Sequence, residues 1–318
     1  MKATLGMNYR MLAYNIEGIS NKLYDLREQS ATGKKVNRPS DDPAAIRPIL
    51  HYQVQNKTAE RYLNHMAVAK GSIQLLDSNL DHIEDIMVRA KELGIAAING
   101  AVNDDDRQTF ANQISTLFDE MVQAANSQPT GQYIFAGYED KLVPFTQNMA
   151  YTPADYDPDN ASTWPVFFHG DNHIKTVEIA PGNYVQTSLT GSELFLGDPD
   201  NDGSVDANTF NLFAVLKNFE NAVRENDQVK MSSGLDELEK SAEQVRRLRG
   251  KMGNNAWRIE KAAEQLEEAS IEFREIISRY EDADIIDVFA KLVQQETAFE
   301  AALNVTSRVA KLSILDFM

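Results

Sequence analysis

A row of apolar residues at alternating intervals of three and four dominates the sequence between residues 59 and 97. This spacing places every member on one face of an α-helix, as in a heptad repeat. A helix over this span would be about 57 Å long, so it can bury the row only against other long helices. The row keeps its register through Ala59, Tyr62, Met66, Ala69, Ile73, Leu76, Leu80, Ile83, Met87, Ala90, Gly94 and Ala97.

Rows with the same spacing recur along the chain and predict further helices. A third helix carries Phe110, Ile114, Leu117, Met121 and Ala124. One long helix is predicted over residues 210–280, with a single interruption of its row at Arg249. We expect these helices to pack as one antiparallel bundle, because each apolar row needs another to cover it.

Both ends of the chain carry apolar rows, over residues 5–26 and 285–317. Within the chain, these two rows have no partner of similar length except each other. Leaving such a row in water costs roughly 1.5–3 kcal/mol for each large side chain. The ends are therefore predicted to be buried against other subunits. The predicted assembly interface comprises Leu5, Tyr9, Leu12, Ile16, Ile19, Leu23, Leu26, Leu292, Phe299, Leu303, Val309 and Leu312.

Glycine, proline and asparagine mark the breaks between these helices. Gly33 and Pro39 make the segment after the first helix non-helical, and Asp42 before Pro43 predicts the start of the second helix. Asn99 and Gly100 are expected to end that helix.

Residues 139–206 differ in character from the rest and are predicted to form β-strands and loops. Strands are expected at 166–168, 174–179 and 184–189, with a turn at residues 181–183. This segment holds 12 acidic residues and two lysines, so it carries −10 of the chain's net charge of −17. Most of the net negative charge of the protein therefore lies in this one segment.

The pattern predicts a mainly α fold: an elongated antiparallel bundle of long helices with terminal coiled-coil helices and an inserted small β-rich domain. Three domains are expected. They are a terminal-helix domain (1–42 and 282–318), a helical bundle domain (43–138 and 206–281) and an acidic β-rich outer domain (139–205).

Composition excludes several function classes. The chain of 318 residues contains no cysteine, which excludes disulfides, thiolate metal sites and cysteine nucleophiles. Its excess of acidic over basic residues argues against binding to nucleic acid or to an anionic membrane surface. No run approaches the ~18–20 apolar residues of a membrane span, and the start lacks a secretory signal core. These last features alone favour a cytosolic protein.

Few residues in the sequence form patterns that indicate catalysis. We expect the protein not to be an enzyme and not to carry a cofactor. His51, His65 and His82 fall in the second helix, where a position on the flank of the bundle is the favoured interpretation. His169 and His173 have a spacing that can chelate zinc on a helix, but here they lie in a turn between strands. No phosphate-binding or dinucleotide-binding glycine motif occurs.

One acidic turn resembles a calcium-binding loop. Asp198, Asp200 and Asp202, followed by Gly203, reproduce the first six positions of an EF-hand loop. The twelfth position is Thr209 rather than glutamate, and residues 192–197 before the turn are expected to be non-helical. A solvated acidic turn is therefore the favoured interpretation, and a calcium site is the alternative.

Three motifs give the chain a family resemblance. The segment 30–45, with Ser30-Ala31-Thr32-Gly33-Lys34 and Asp41-Asp42-Pro43-Ala44, resembles the signature between the first two helices of bacterial flagellins and their relatives. Residues 132–138, with Pro144-Phe145 after them, are similar to a hairpin of the hook–filament junction branch of this family rather than of flagellin itself. Residues 249–260 resemble an element of the C-terminal helix.

The resemblance implies a structural adaptor subunit that forms the junction between flagellar hook and filament by self-assembly. It implies a homo-oligomeric ring, with a neighbouring hook-associated junction protein, flagellin and a cytosolic export chaperone as partners. It also implies secretion through the flagellar channel without a cleaved signal peptide. The alternatives are flagellin, the filament subunit, and a cytosolic coiled-coil signalling protein, which would not need the acidic β-rich insertion.

Overall fold

A computed structural model describes residues 5–98, 103–129 and 131–315, with the side chains at 5, 6, 8 and 309–315 outside the description. The described part is mainly helical, as predicted. Its helices are α1 (Leu5–Thr32), α2 (Pro43–Ile98), α3 (Asp104–Ala125), α4 (Leu212–Glu225), α5 (Gln228–Glu281) and α6 (Ile285–Leu315). Its strands are β1 (Phe145–Gln147), β2 (Val166–Phe168), β3 (Thr176–Ala180) and β4 (Asn183–Gln186). Among the described helices, none is long and apolar enough to cross a membrane.

The chain divides into two compact units. The terminal unit comprises residues 1–60 and 267–318, and the central unit comprises residues 61–266. The predicted β-rich segment lies wholly within the central unit. The finer division of the chain into three domains stays a prediction.

The second helix begins where the sequence predicts. Asp42 lies before the first helical residue, Pro43, and its Oδ1 accepts hydrogen bonds from the backbone N–H groups of Ala44 at 2.9 Å and Ala45 at 3.0 Å. These bonds satisfy donors that the first turn of a helix leaves without partners, and proline costs nothing there because its missing N–H is not needed. The helix start is therefore determined by local chemistry.

The central unit buries the long apolar row of α2. Leu80, Ile83 and Met87 have no exposed side-chain surface, and the row joins one hydrophobic core with α3, α4 and α5. Ion pairs show that α2 and α5 run antiparallel, because their partners occur in opposite order along the two helices. These pairs are Lys70 with Glu260 at 2.8 Å, Asp77 with Arg249 at 2.8 Å and Lys91 with Glu239 at 2.6 Å.

Arg249, which interrupts the predicted row, points to the edge of the bundle. Its guanidinium contacts the carboxylates of Asp77, Asp81 and Glu84 on α2. Leu248, one residue earlier, is 5% exposed and takes the place in the core. The interruption therefore exchanges one apolar contact for a charged network between the two helices.

The prediction of one helix over residues 210–280 is wrong. The chain breaks at Asn226, whose φ of 60° is left-handed, and continues as a separate helix, α5. Asparagine adopts this conformation more readily than other non-glycine residues. The Oδ1 of Asp227 then accepts bonds from the N–H groups of Val229 and Lys230 and caps α5. This break lets α4 pack against α3.

The β segment forms two small antiparallel sheets, β1–β2 and β3–β4. The predicted strand at 166–168 is confirmed, and the other two are confirmed with shifted ends. Gly182, with φ of 74°, lies at the turn predicted between them. Strand β1 was not predicted, because its sequence Phe-Thr-Gln contains one apolar residue, whereas β2 consists of three apolar residues.

Four phenylalanines link the β1–β2 sheet to the helices. The ring of Phe145 on β1 lies 5.3 Å from Phe195 and 5.4 Å from Phe213 on α4, and Phe135 lies 5.1 Å from Phe195. All four side chains are fully buried. The β segment therefore shares the hydrophobic core of the helices in the central unit.

Candidate assembly surface

The predicted interface rows at the two ends of the chain meet each other, since α1 packs against α6. Leu23 is 8% exposed. Most other row members with described side chains are half-buried, namely Tyr9, Leu12, Ile16, Ile19, Leu26, Leu292 and Phe299. Leu303 is 46% exposed. The side chains of Leu5, Val309 and Leu312 lie outside the described residues. The rows are thus partly covered within the chain, and their role between subunits stays a prediction.

A second apolar row on α1 was missed by the sequence analysis. Met7, Met11 and Tyr14 are 63%, 61% and 77% exposed. They repeat the four-three spacing of the predicted row, two residues further along, so the same pattern search could have found them. Such contiguous exposed apolar surface marks sites of interaction with other proteins.

The α6 helix shows a matching exposed face. Ile286, Phe289 and Val293 are 83%, 50% and 61% exposed. Their spacing of three and four places them on one side of the helix. Both terminal helices therefore carry an exposed apolar face in addition to the face that forms their mutual contact.

A groove of about 530 Å³ lies between α1 and α6. Its lining is mostly apolar and includes Leu12, Ile16 and Ile19 on α1 and Ala302 and Val305 on α6. The groove is open to solvent, so its apolar lining is accessible to another molecule.

The acidic turn brings its three predicted aspartates together. One carboxylate oxygen from each of Asp198, Asp200 and Asp202 lies within 4.8 Å of the others. Asp198 is buried, and it accepts bonds from the N–H groups of Asp202 at 3.1 Å and Gly203 at 2.9 Å. Burial raises the pKa of Asp198 above its ordinary value, and so does the hydrogen bond that its protonated carboxyl can donate to Asp200, although the backbone bonds oppose this.

The surroundings of the acidic turn differ in two ways from those of an EF-hand. Thr209, at the twelfth position, donates its hydroxyl to the carbonyl of Gly197 at 2.6 Å, where a calcium loop needs a carboxylate. The expectation that residues 192–197 are non-helical is wrong, because Ser192–Leu196 form one turn of π-helix closed by the left-handed Gly197. One wide turn still does not supply the long helix of an EF-hand. A solvated acidic turn stays the favoured interpretation, and calcium binding stays the alternative.

The two histidines with zinc-like spacing make separate contacts. His169 Nε2 lies 2.8 Å from the Thr146 hydroxyl. The His173 ring stacks on Tyr138 with centroids 4.8 Å apart, and its Nδ1 lies 3.3 Å from Asp171. Among the described residues, the three aspartates form the one cluster that could hold a metal. The favoured interpretation of this segment as a surface turn agrees with these contacts.

The motif at 132–138 folds as a series of turns rather than a regular hairpin. Phe135 anchors it in the core, and Gly137 adopts a φ of 73°. A side chain at Gly137 would collide with Asp171, whose carboxylate accepts bonds from the N–H groups of Tyr138 and His173. Burial opposes ionisation of Asp171, but these bonds outweigh it and hold its pKa below the ordinary value. The motif therefore joins the end of α3 to the β segment.

Two family models match the chain. The bacterial flagellin N-terminal helical region matches residues 5–140, and the bacterial flagellin C-terminal helical region matches residues 235–318. Together they cover more than half of the chain.

Two curated relatives match the chain over nearly its full length, and a third matches about a third of it. Flagellar hook-associated protein 3 of Escherichia coli and that of Salmonella typhimurium are each 26% identical over 96% of this chain and 96% of their own length. The flagellar filament 41 kDa core protein of Borreliella burgdorferi is 29% identical over 33% of this chain and 32% of its own length.

Solved structures share the fold. A flagellar hook-associated protein from Vibrio parahaemolyticus has a TM-score of 0.63 at 16% identity, over 76% of this chain and 100% of its own. The flagellar junction protein FlgL from Legionella pneumophila has a TM-score of 0.56 at 13% identity, over 75% of this chain and 100% of its own. At these identities the likeness concerns the fold.

Proposed function

Because the chain belongs to the bacterial flagellin family, we propose that it is a structural adaptor subunit at the junction between the flagellar hook and the filament. The observation that carries this proposal is the extent of the similarity. Two hook-associated proteins match 96% of the chain, including the segment between the two helical regions. The flagellar filament proteins match only about a third of it.

The terminal unit supplies the surface for self-assembly in this proposal. Its two helices cover part of each other, but large apolar side chains remain exposed on both. Among the described residues these include Met7, Met11 and Tyr14 on α1 and Ile286, Phe289 and Val293 on α6. Covering them with other copies would remove apolar surface from water at roughly 25 cal/mol per Å². We add these residues to the predicted interface rows.

The partners follow from this role. We propose a homo-oligomeric ring that contacts a neighbouring hook-associated protein on one side and flagellin on the other. The chain reaches this place through the flagellar export channel, with a cytosolic chaperone holding it before export. A chain without cysteine suits such a route, since it has no disulfides that could lock it in a folded form.

Flagellin is the second candidate function. It would also need helical ends that assemble, and the shared family models are compatible with it. The two functions differ in the phenotype of a deletion. Loss of flagellin removes the filament protein, whereas loss of a junction protein leaves flagellin that is exported but not retained.

A deletion strain tests the proposal. We expect cells that lack this chain to keep their hooks and to release flagellin monomers into the medium, measured by immunoblot of cell and medium fractions. The wild-type chain should restore filaments. Normal filaments on the deletion strain would contradict the junction role.

Complementation with variants then tests the surface. Leu12→Asp and Phe299→Asp each place a charge in a predicted row, and Tyr14→Asp places one at a 77% exposed position beside the α1–α6 groove. All three should fail to restore filaments while circular dichroism shows unchanged helicity. Val68→Asp, at a 73% exposed site in the central unit, is the matched control and should restore them. Filaments with Tyr14→Asp would remove the outer face from the interface.

A further inference from the structure

The two connectors that lead to the terminal helices are bonded to each other. Residues 33–42 join α1 to α2, and residues 282–284 join α5 to α6. Lys34 lies opposite Asp282 in an antiparallel β-bridge. The Lys35 N–H donates to the Glu281 carbonyl at 2.7 Å, and the Ala283 N–H donates to the Gly33 carbonyl at 2.9 Å.

Side chains reinforce this bridge. The Lys34 ammonium lies 2.7 Å from the Glu281 carboxylate, whose side chain is 12% exposed. The Lys35 ammonium donates to the Arg279 carbonyl at 2.9 Å. The Asn37 amide donates to the Lys34 carbonyl at 3.0 Å, which holds the first connector in its turn. Both lysines of the first connector thus bind the end of α5.

The first connector is also anchored to the helix that follows it. Val36 is 5% exposed and packs with Ala45 and Ile49 in a small hydrophobic cluster separate from the main core. Gly33, with φ of 73°, allows the sharp turn that brings the chain from α1 into this position. Neither connector is therefore a free linker.

We propose that residues 33–36 and 281–283 form a clasp that makes α1 and α6 one hinged body. Because Lys35 donates a backbone bond to Glu281 at the end of α5 and Ala283 donates one to Gly33, neither terminal helix can change its direction at its connector without breaking bonds between the two strands of the clasp. The bonds of the clasp break together in one opening event. A contact that orders one terminal helix therefore also positions the other. This property belongs to the free chain and does not depend on the proposed junction role.

Amide hydrogen exchange of the full-length free chain tests the clasp. The amides of Lys35 and Ala283 lie on different connectors, and a single opening event predicts equal opening equilibria for both. Lys34→Met removes the ion pair and should raise exchange at both sites by the same factor, about two- to five-fold. Arg27→Met is the matched control, since it removes the Arg27–Glu296 pair between α1 and α6 outside the clasp. It should leave both amides unchanged.

A rise at Lys35 without a rise at Ala283 in Lys34→Met would overturn the proposal, because the connectors would then open separately. An equal rise in exchange in Arg27→Met would also overturn the proposal, because the rise would then come from the contact between α1 and α6 and not from the clasp.

An engineered disulfide provides a second test that does not depend on the ion pair. The chain has no cysteine, so Lys34→Cys/Asp282→Cys places a single possible pair at the opposed positions of the bridge. We expect it to oxidise within one chain and to slow exchange in both α1 and α6, with the reduced form as control. Slower exchange in only one helix, or failure of the intact monomer to form the disulfide, would contradict the clasp.

Discussion

The central and terminal units carry apolar rows of the same spacing, but they bury them to different extents. In the central unit, Leu80 on α2 and Leu238 on α5 have no exposed surface. In the terminal unit, Leu303 and Phe289 on α6 are 46% and 50% exposed. The spacing determines that one face of a helix is apolar, whereas the number of neighbouring helices determines whether that face is covered. In the central unit, several helices cover each apolar row. In the terminal unit, each row has one long helix to cover it.

The largest expected effect tests the completeness of the central core. Leu80→Ala should lower the free energy of unfolding by about 2–5 kcal/mol, since a cavity replaces a fully buried side chain. Leu303→Ala is the matched substitution in the terminal unit and should cost less than about 1 kcal/mol in the free chain. Urea denaturation measures both. Equal losses would mean that the terminal row is as well packed as the central one.

A smaller effect is expected at a close contact in the central unit. A side chain at Gly94 would lie 2.2 Å from the Phe219 ring, and one at Gly234 would lie 2.5 Å from the same ring, so the ring of α4 fits between glycines of two long helices. Gly94→Ala should destabilise the protein by about 1–3 kcal/mol through overpacking.

Gly71 on the same helix is the control for this substitution, because nothing lies within 4 Å of an added side chain there. Gly71→Ala should stabilise the protein by about 0.5–1 kcal/mol, since alanine favours helix over glycine. A stabilising Gly94→Ala in thermal unfolding would show that Phe219 does not pack as described.

The charged network at the edge of the bundle is expected to contribute less. Arg249→Met removes contacts with three carboxylates on α2 and should cost about 1 kcal/mol at low salt. The loss should shrink in 1 M salt, where exposed charges are screened. Lys261→Met, which breaks an exposed pair with Glu264, is the control and should have little effect. A salt-independent loss at Arg249 would point to packing rather than charge.

The smallest expected effect is a pH dependence at Glu239. Hydrogen bonds from Lys91 and Arg246 hold the pKa of this carboxyl below its ordinary value. A lowered pKa in the folded state stabilises the protein above the unfolded pKa of about 4.3, and the contribution disappears as pH falls through the folded pKa.

Glu239→Gln should therefore differ from the wild type most at neutral pH and converge with it in acid, as measured by urea unfolding between pH 3 and 7. Glu92→Gln, at an exposed position of α2, serves as the control. A difference that grows as pH falls would contradict the assignment.

The sequence predicted features whose cause is local. Asp42 and Pro43 mark the start of α2 because capping depends on neighbouring residues, and the rows of α2 and α3 follow from helical spacing. The break at Asn226 was missed because the helical pattern continues on both sides, although Asn226 and Asp227 are residue types that favour a helix end and a helix start. The partners of Arg249 are 165 or more residues away along the chain, beyond the reach of a pattern search.

The candidate surface was predicted in part. The helices that carry it were found from their spacing, and the resemblance to the flagellin family agrees with the family models that match the chain. Which face of each helix stays exposed depends on how α1 and α6 pair. The outer row of Met7, Met11 and Tyr14 has the same spacing in the sequence, but its exposure became apparent only in the structure.

Hydrogen exchange of the free chain and of the assembled ring tests the central claim most directly. If the terminal unit is completed by other copies, amides of α1 and α6 should gain strong protection on assembly, while those of α2 and α5 in the central unit should change little. Equal changes in both units, or no change in α1 and α6, would contradict the account.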